Sequence, residues 1–187
     1  MATTSPASVA AAASPWLVCR TQPHHEHRAL AALTAQGAEA WVPTHWVTHQ
    51  WSDRKRQLEV PLLPGYCFVR WAPPLWSKLL AFGGVRTVLR NSYIPSVVPE
   101  DDITNLRRFI DGLAAGGLMA EPASRGTWLA GDPVRVERGP FAGVYGRVVR
   151  RRGGLRLVLA LDTLGEGVMV TVPAADVCSL EAAIDAA

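Results

Sequence analysis

Residues 61–71 read "PLLPGYCFVRW", and the fold turns on where this stretch changes direction. Pro64 presets its own φ and Gly65 tolerates the left-handed region, so the pair marks a tight turn. From Tyr66 onward the chain is apolar, aromatic and free of breakers, which reads as a strand. Neighbours along a strand face opposite sides, so Cys67 and Val69 share one face and Tyr66 and Phe68 the other. Burial in a core is the usual fate of such rings. A turn that holds an amphipathic ring can equally serve as an anchor for a partner protein. The residues alone leave both readings open.

Working towards the N-terminus, "WLVCRT" (16–21) is a short apolar strand, and "HHEHRALAALTAQG" (24–37) changes to helical spacing. Leu30 and Leu33 share a face there, and Gly37 stands where a left-handed cap would end the helix. The segment "EAWVPTHWVTHQWSDRKRQLEV" (39–60) predicts a strand, an interruption at Pro43 and a hairpin with a polar, basic tip at 52–56. Towards the C-terminus, "PPLWSKLLAFG" (73–83) predicts a short helix with Pro74 near its first turn and a glycine stop. "VRTVLR" and "YIPSVV" are extended. "PEDDITNLRRFIDGL" (99–113) is a helix with three acids in its first turn and an apolar stripe of Ile103, Leu106, Ile110 and Leu113.

Residues 115–127 gather Gly, Ala, Pro and Ser without periodicity, as a flexible linker does. The pattern then switches to period two. Val134 and Val136 alternate with polar residues, Leu155, Leu157, Leu159 and Leu161 share a face, and Val168, Val170 and Val172 repeat the arrangement. Gly153-Gly154 suits a two-residue hairpin turn, and about 50 residues of such strands close into a small barrel. The fold class expected is α+β: an antiparallel sheet flanked by helices over 16–114, then a small SH3-like β-barrel over 128–181. Tails of 1–15 and 182–187 bracket them.

Composition narrows the function. With 187 residues, 49% of them hydrophobic, two small cores are affordable. Three dispersed cysteines without a CxxC pair suit buried thiols in a reducing cytoplasm. The Ala-rich leader lacks the basic start and apolar core of a signal peptide, and no run approaches membrane-spanning length. Residues 16–90 carry nine Lys/Arg against four Asp/Glu, a balance of +5, whereas 99–121 carry two against five, or −3. A basic first half suits nucleic acid or an acidic protein surface. His45 and His49 lack a third convergent ligand for a metal, and "GPFAGVYG" (139–146) has neither the following helix nor the Lys-Ser/Thr of a phosphate loop. No cofactor is expected and no catalytic constellation stands out.

Taken together, the two halves resemble the NusG family of bacterial transcription elongation factors. "GDPVRVERGPFAGVYGRVV" (131–149) is similar to a KOW domain. "WLVCRT", "VPTHWV", "PLLPGYCFVRW", "WSKLLAFGGV" and "VVPEDDI" resemble the family's N-terminal domain in order and spacing. The resemblance spans Trp16 to Leu180.

It implies a non-enzymatic, monomeric, cytoplasmic factor that binds RNA polymerase at the β′ clamp helices, bridges towards the β subunit and suppresses pausing or termination. Carried onto this sequence, the clamp contact is Leu63, Pro64, Gly65, Tyr66 and Phe68, with Tyr66 favoured as the anchor. The β contact is Trp76, Ser77 and Lys78. Exposed non-template or upstream DNA is met by His24, His25 and Arg28 at the first helix start and by Arg54, Lys55 and Arg56 at the hairpin tip. The KOW domain engages Rho or a small-subunit ribosomal protein through Phe141, Ala142, Gly143 and Tyr145. The Ala-rich leader, the Trp-rich middle and "DTLGEGVMVTVP" (162–173) point to a specialised paralogue of the RfaH or LoaP kind. The rival readings are a KOW-type RNA-binding or ribosome-associated protein, using the arginines around the Gly-Gly turn, and a metalloenzyme at His45 and His49.

Overall fold

The computed structural model describes residues 14–50, 55–70, 79–80, 83–124, 131–151 and 154–180. The chain packs as two compact units, Met1–Pro43 with Leu63–Glu100 and Thr44–Leu62 with Asp101–Ala187.

The first unit is built on an antiparallel sheet. Strand β1 (Trp16–Thr21) lies between β5 (Tyr66–Arg70) and β6 (Val85–Val88), β2 (Glu39–Trp41) flanks β5, and β9 (Val97–Val98) also pairs with β1. The register sets Leu17 opposite Val69, Val18 opposite Phe68 and Cys19 opposite Cys67. Because side chains alternate, Leu17, Cys19, Cys67 and Val69 form one face, and helix α1 (Glu26–Ala35) buries Ala29 and Leu33 among them. The helix stops as its glycine predicts. Gly37 sits at φ +79, Gly37 donates to the Thr34 carbonyl and Ala38 to that of Leu33, which satisfies carbonyls left over at the helix end. Beyond β6, β7 (Arg90–Asn91) and β8 (Ile94–Pro95) make a tight hairpin with Ser92 in the left-handed region.

The second unit contains the predicted hairpin, β3 (Thr44–Gln50) against β4 (Lys55–Pro61). It also holds helix α2 (Glu100–Gly116) from Asp101 onward. The period-two region becomes a six-stranded antiparallel sheet. Its members are β10 (Glu121–Ser124), β11 (Asp132–Val136), β12 (Tyr145–Arg151), β13 (Gly154–Leu161), β14 (Glu166–Val172) and β15 (Val177–Ser179), in the order β10-β14-β13-β12-β11-β15. Leu157, Leu159 and Leu161 are buried opposite Val170, Val168 and Glu166. On the other face of the same strands, Val158 and Met169 form a small cluster with Ala123.

Two features differ from the sequence reading. The buried stripe of α2 is Ile103, Leu106, Phe109 and Leu113 with Asn105 and Gly112, while Ile110 is only half-buried. Phe109 is drawn in by an aromatic partner, Phe141. Within 115–127, the segment expected as a linker, Glu121–Ser124 pairs antiparallel with β14 from Met169 to Glu166. Most of the short helix expected at 73–83 lies outside the described residues.

Candidate functional site

The Pro64-Gly65 turn is built by local hydrogen bonds. Gly65 takes φ +85, where a side chain costs about 1–2 kcal/mol. The Tyr66 amide donates to the Leu63 carbonyl at 3.3 Å, and the Gly65 carbonyl accepts from the Thr21 amide at 2.8 Å. The Gly65 amide donates to Oε1 of Glu26 at 2.7 Å, which ties the turn to the first residue of α1. Glu26 is itself buried, with 5% of its surface exposed. A buried carboxylate survives only with such partners.

Outward, the turn offers Pro64 and part of Gly65, while Leu63 is buried. Tyr66 is 3% exposed and Phe68 is fully buried. The ring expected as an outward anchor therefore supports the turn from beneath. Tyr66 lies under the Arg20 guanidinium, 5.5 Å from the ring centroid, and its hydroxyl accepts from Arg20 Nη2 at 3.3 Å. At the other end of the same face, Arg70 lies 4.6 Å over the Trp16 ring. Trp16 Nε1 donates to Glu100 Oε2 at 2.9 Å, Arg70 pairs with that same carboxylate, and Arg70 also pairs with Glu39 at 3.5 Å. Between the two cations, Phe68 meets Trp41 with centroids 5.8 Å apart. Each guanidinium thus lies beside an aromatic face that attracts it.

At the start of α1, His24 is exposed with φ +61, His27 and Arg28 are exposed, and His25 is half-buried. Gly84, at φ +96, passes so close that a Cβ there would lie 3.1 Å from the His25 carbonyl oxygen, which explains a glycine here. The structure brings His24, His25 and Arg28 to one helix start, and Glu26 joins that start to Gly65. Of the hairpin-tip residues, Arg56 is exposed in β4. Arg54 and the side chain of Lys55 lie outside the described residues, as do Trp76, Ser77 and Lys78.

In the C-terminal sheet, the β11–β12 turn carries the predicted quartet. Gly139 and Gly143 hold φ +80 and +85. Ala142 is exposed, Gly143 and Tyr145 are half-buried, and Phe141 is 2% exposed, its ring 5.4 Å from that of Phe109. Asn105 clamps the start of β12, with Nδ2 donating to the Tyr145 carbonyl at 2.7 Å and Oδ1 accepting the Tyr145 amide at 3.0 Å. Beside it, burial and the nearby Asp162 and Asp101 raise the Asp102 carboxyl, against a hydrogen bond from Tyr145. Two of the arginines read as an RNA-binding cluster are engaged internally: Arg147 donates to the Gly131 carbonyl at 2.9 Å, and Arg156 pairs with Glu121 at 2.8 Å. Arg150 is exposed.

A cleft of about 590 Å³, not anticipated from the sequence, lies between β3 and the end of α2, lined by residues including His45, Trp46, Leu113 and Met119. Burial lowers the His45 pKa. Among the described residues, no three His, Cys, Asp or Glu side chains gather to hold a metal, and no helix is long and apolar enough to cross a membrane.

Residues 14–107 match the family model described as transcription termination factor NusG. Among solved structures, NusG of Thermotoga maritima superposes with a TM-score of 0.53 at 17% identity, covering 91% of this chain and 99% of that one. The MjSpt4:Spt5 complex in conformation A aligns at 15% identity over 88% of this chain and 97% of that chain, with a TM-score of 0.29. No curated protein matches.

Proposed function

Because the chain belongs to the NusG family of transcription factors, we propose that it is an elongation and antitermination factor that binds bacterial RNA polymerase in the cytoplasm. The match over residues 14–107 carries this reading, since it spans the turn at Pro64-Gly65 and the start of α1. The polymerase-binding domain is residues 16–114, and 128–181 is the KOW domain.

The clamp helices of β′ meet the turn. Pro64 and Gly65 provide its outer surface, while Leu63, Tyr66 and Phe68 hold it rigid from below. A pre-shaped turn loses little conformational entropy on binding. Trp76, Ser77 and Lys78 reach the β subunit, which closes a bridge over the DNA cleft and limits pause-associated opening. Non-template or upstream DNA is met by His24, His25 and Arg28, with Arg54, Lys55 and Arg56 supplying charge from the hairpin. Phosphates are attracted to a helix start bearing an exposed arginine. The KOW turn at Phe141, Ala142, Gly143 and Tyr145 recruits a second protein, Rho or a small-subunit ribosomal protein. The work is done by binding and geometry, with no chemical step.

The test is binding of the full chain to a bacterial elongation complex, with pause lifetimes measured on the same template. Wild type binds and shortens pauses, and Pro64→Glu, at an exposed position, weakens binding at least tenfold with unchanged thermal stability. Absence of binding by wild type to the elongation complex of its own source organism overturns the reading.

A further inference from the structure

Strand β10 is an addition to the C-terminal sheet made from the segment that joins α2 to it, and its features mark it as weakly held. It is four residues long, against the seven of β14 (Glu166–Val172) on which it lies. Pairing runs from Glu121 opposite Met169 to Ser124 opposite Glu166, so residues 170–172 of β14 extend past it along that edge. Pro122, opposite Val168, limits how this edge strand can extend its ladder. Among the described residues, Glu121 and Ala123 fasten the strand. Glu121 pairs with Arg156 at 2.8 Å while remaining about half exposed, and such a pair contributes little. Ala123 closes the small cluster of Val158 and Met169, against which Val149 and Ala160 also pack.

We propose that β10 is a built-in, displaceable occupant of a strand-addition site, and that the edge of β14 receives an extended segment of a partner protein in its place. This goes beyond the polymerase reading and does not depend on it. The edge specifies its guest. An acidic residue must reach Arg156, and a small apolar residue two positions later must close the Val158–Met169 cluster. A guest extended at its N-terminal side would also pair with residues 170–172, which gives it more main-chain hydrogen bonds than β10 makes. An exposed strand edge invites unwanted pairing, so a short, proline-bearing strand of the chain's own protects it until such a guest arrives.

The test uses the full chain and a fluorescein-labelled peptide, "LMAETAS", which copies residues 118–124 with Thr in place of Pro122. The chain variant Glu121→Arg with Ala123→Asp removes the Arg156 pair and the apolar contact of β10. The peptide is expected to bind this variant at least tenfold more tightly than wild type, with amide shift changes centred on residues 166–172, and to lose binding when its own Glu is replaced by Arg. Equal affinity for both proteins, no binding by a variant whose β spectrum is intact, or shift changes elsewhere on the sheet overturn the proposal. Dimerisation of the variant through the same edge also overturns it, by making a second copy the guest. Should the double variant fail to fold, the single change Glu121→Arg decides: faster hydrogen exchange at residues 166–169 with stronger peptide capture supports displacement, and unchanged exchange and capture refute it.

Discussion

The ring of Phe109, in the middle of α2, rests against the ring of Phe141 in the β11–β12 turn, with centroids 5.4 Å apart and planes tilted by 38°. Both side chains are buried. The aromatic proposed to recruit a second protein is thus held under α2. Phe109→Ala removes the aromatic part of that cover, and a buried Phe→Ala change costs about 3–5 kcal/mol. The urea midpoint is expected to fall accordingly. At temperatures where the variant remains folded, Phe141 becomes more accessible, read as increased binding of a hydrophobic dye.

Gly112 lies one turn further along α2, where an added Cβ would come within 2.8 Å of the Pro140 carbonyl oxygen and would press into the Phe141 ring. Gly112→Ala improves helix propensity by about 1 kcal/mol but overpacks a contact that includes main chain, which costs about 1–3 kcal/mol. The clash is expected to win. Thermal denaturation should show a lower midpoint, and a higher one would mean that the turn yields easily.

The Asp102 carboxyl is raised by burial first and by the charges of Asp162 and Asp101 next. A raised acid binds more protons folded than unfolded, so its contribution to stability falls as pH rises through the window between the ordinary carboxylate value and the raised one. Asp102→Asn should remove that part of the slope. Denaturation midpoints of the two proteins are expected to draw apart in favour of Asn as pH increases from about 4 towards neutrality; parallel curves would refute the assignment.

Cys19 and Cys67 stand opposite each other across β1 and β5, both buried. Burial pushes the Cys67 thiol up to about 12 and the Cys19 thiol higher still, with the neighbouring sulfur adding to the effect on Cys19. Cys178 is partly exposed. Burial and the neighbouring Glu137 raise the Cys178 thiol as well, but it is the accessible one, so a thiol reagent should modify one cysteine in the native protein at a rate independent of unfolding. The other two should react at rates that follow unfolding and accelerate in urea.

Much of the architecture could be read from side-chain alternation. Leu157, Leu159 and Leu161 with Val168, Val170 and Val172 specify one buried face of a sheet, and Cys67 with Val69 specify the packed face of β5. Where the reading missed, the deciding contact was distant in sequence. Residues 109 and 110 both fit a helical stripe begun at Ile103 and Leu106, and it is Phe141 that selects Phe109. Alternation assigned Tyr66 to the face opposite Cys67 but could not say whether that face was open, because its cover depends on Arg20, 46 residues earlier. Strand β10 gave no periodic signal, being four residues long and interrupted by proline. Nothing in the sequence marked the carboxylate of Glu26, since its partner is an amide 39 positions away.

That carboxylate has a mechanical consequence. Glu26 stands between His25 and Arg28 in the chain and grips the amide of Gly65, so the helix start and the turn cannot shift independently. On the proposed function, a hydrogen bond of 2.7 Å then braces the spacing between a DNA phosphate and a polymerase helix, alongside the packing of the helix on the sheet, as a strut braces two jaws of a gauge. Cutting the strut would leave each jaw intact and lose the calibration between them.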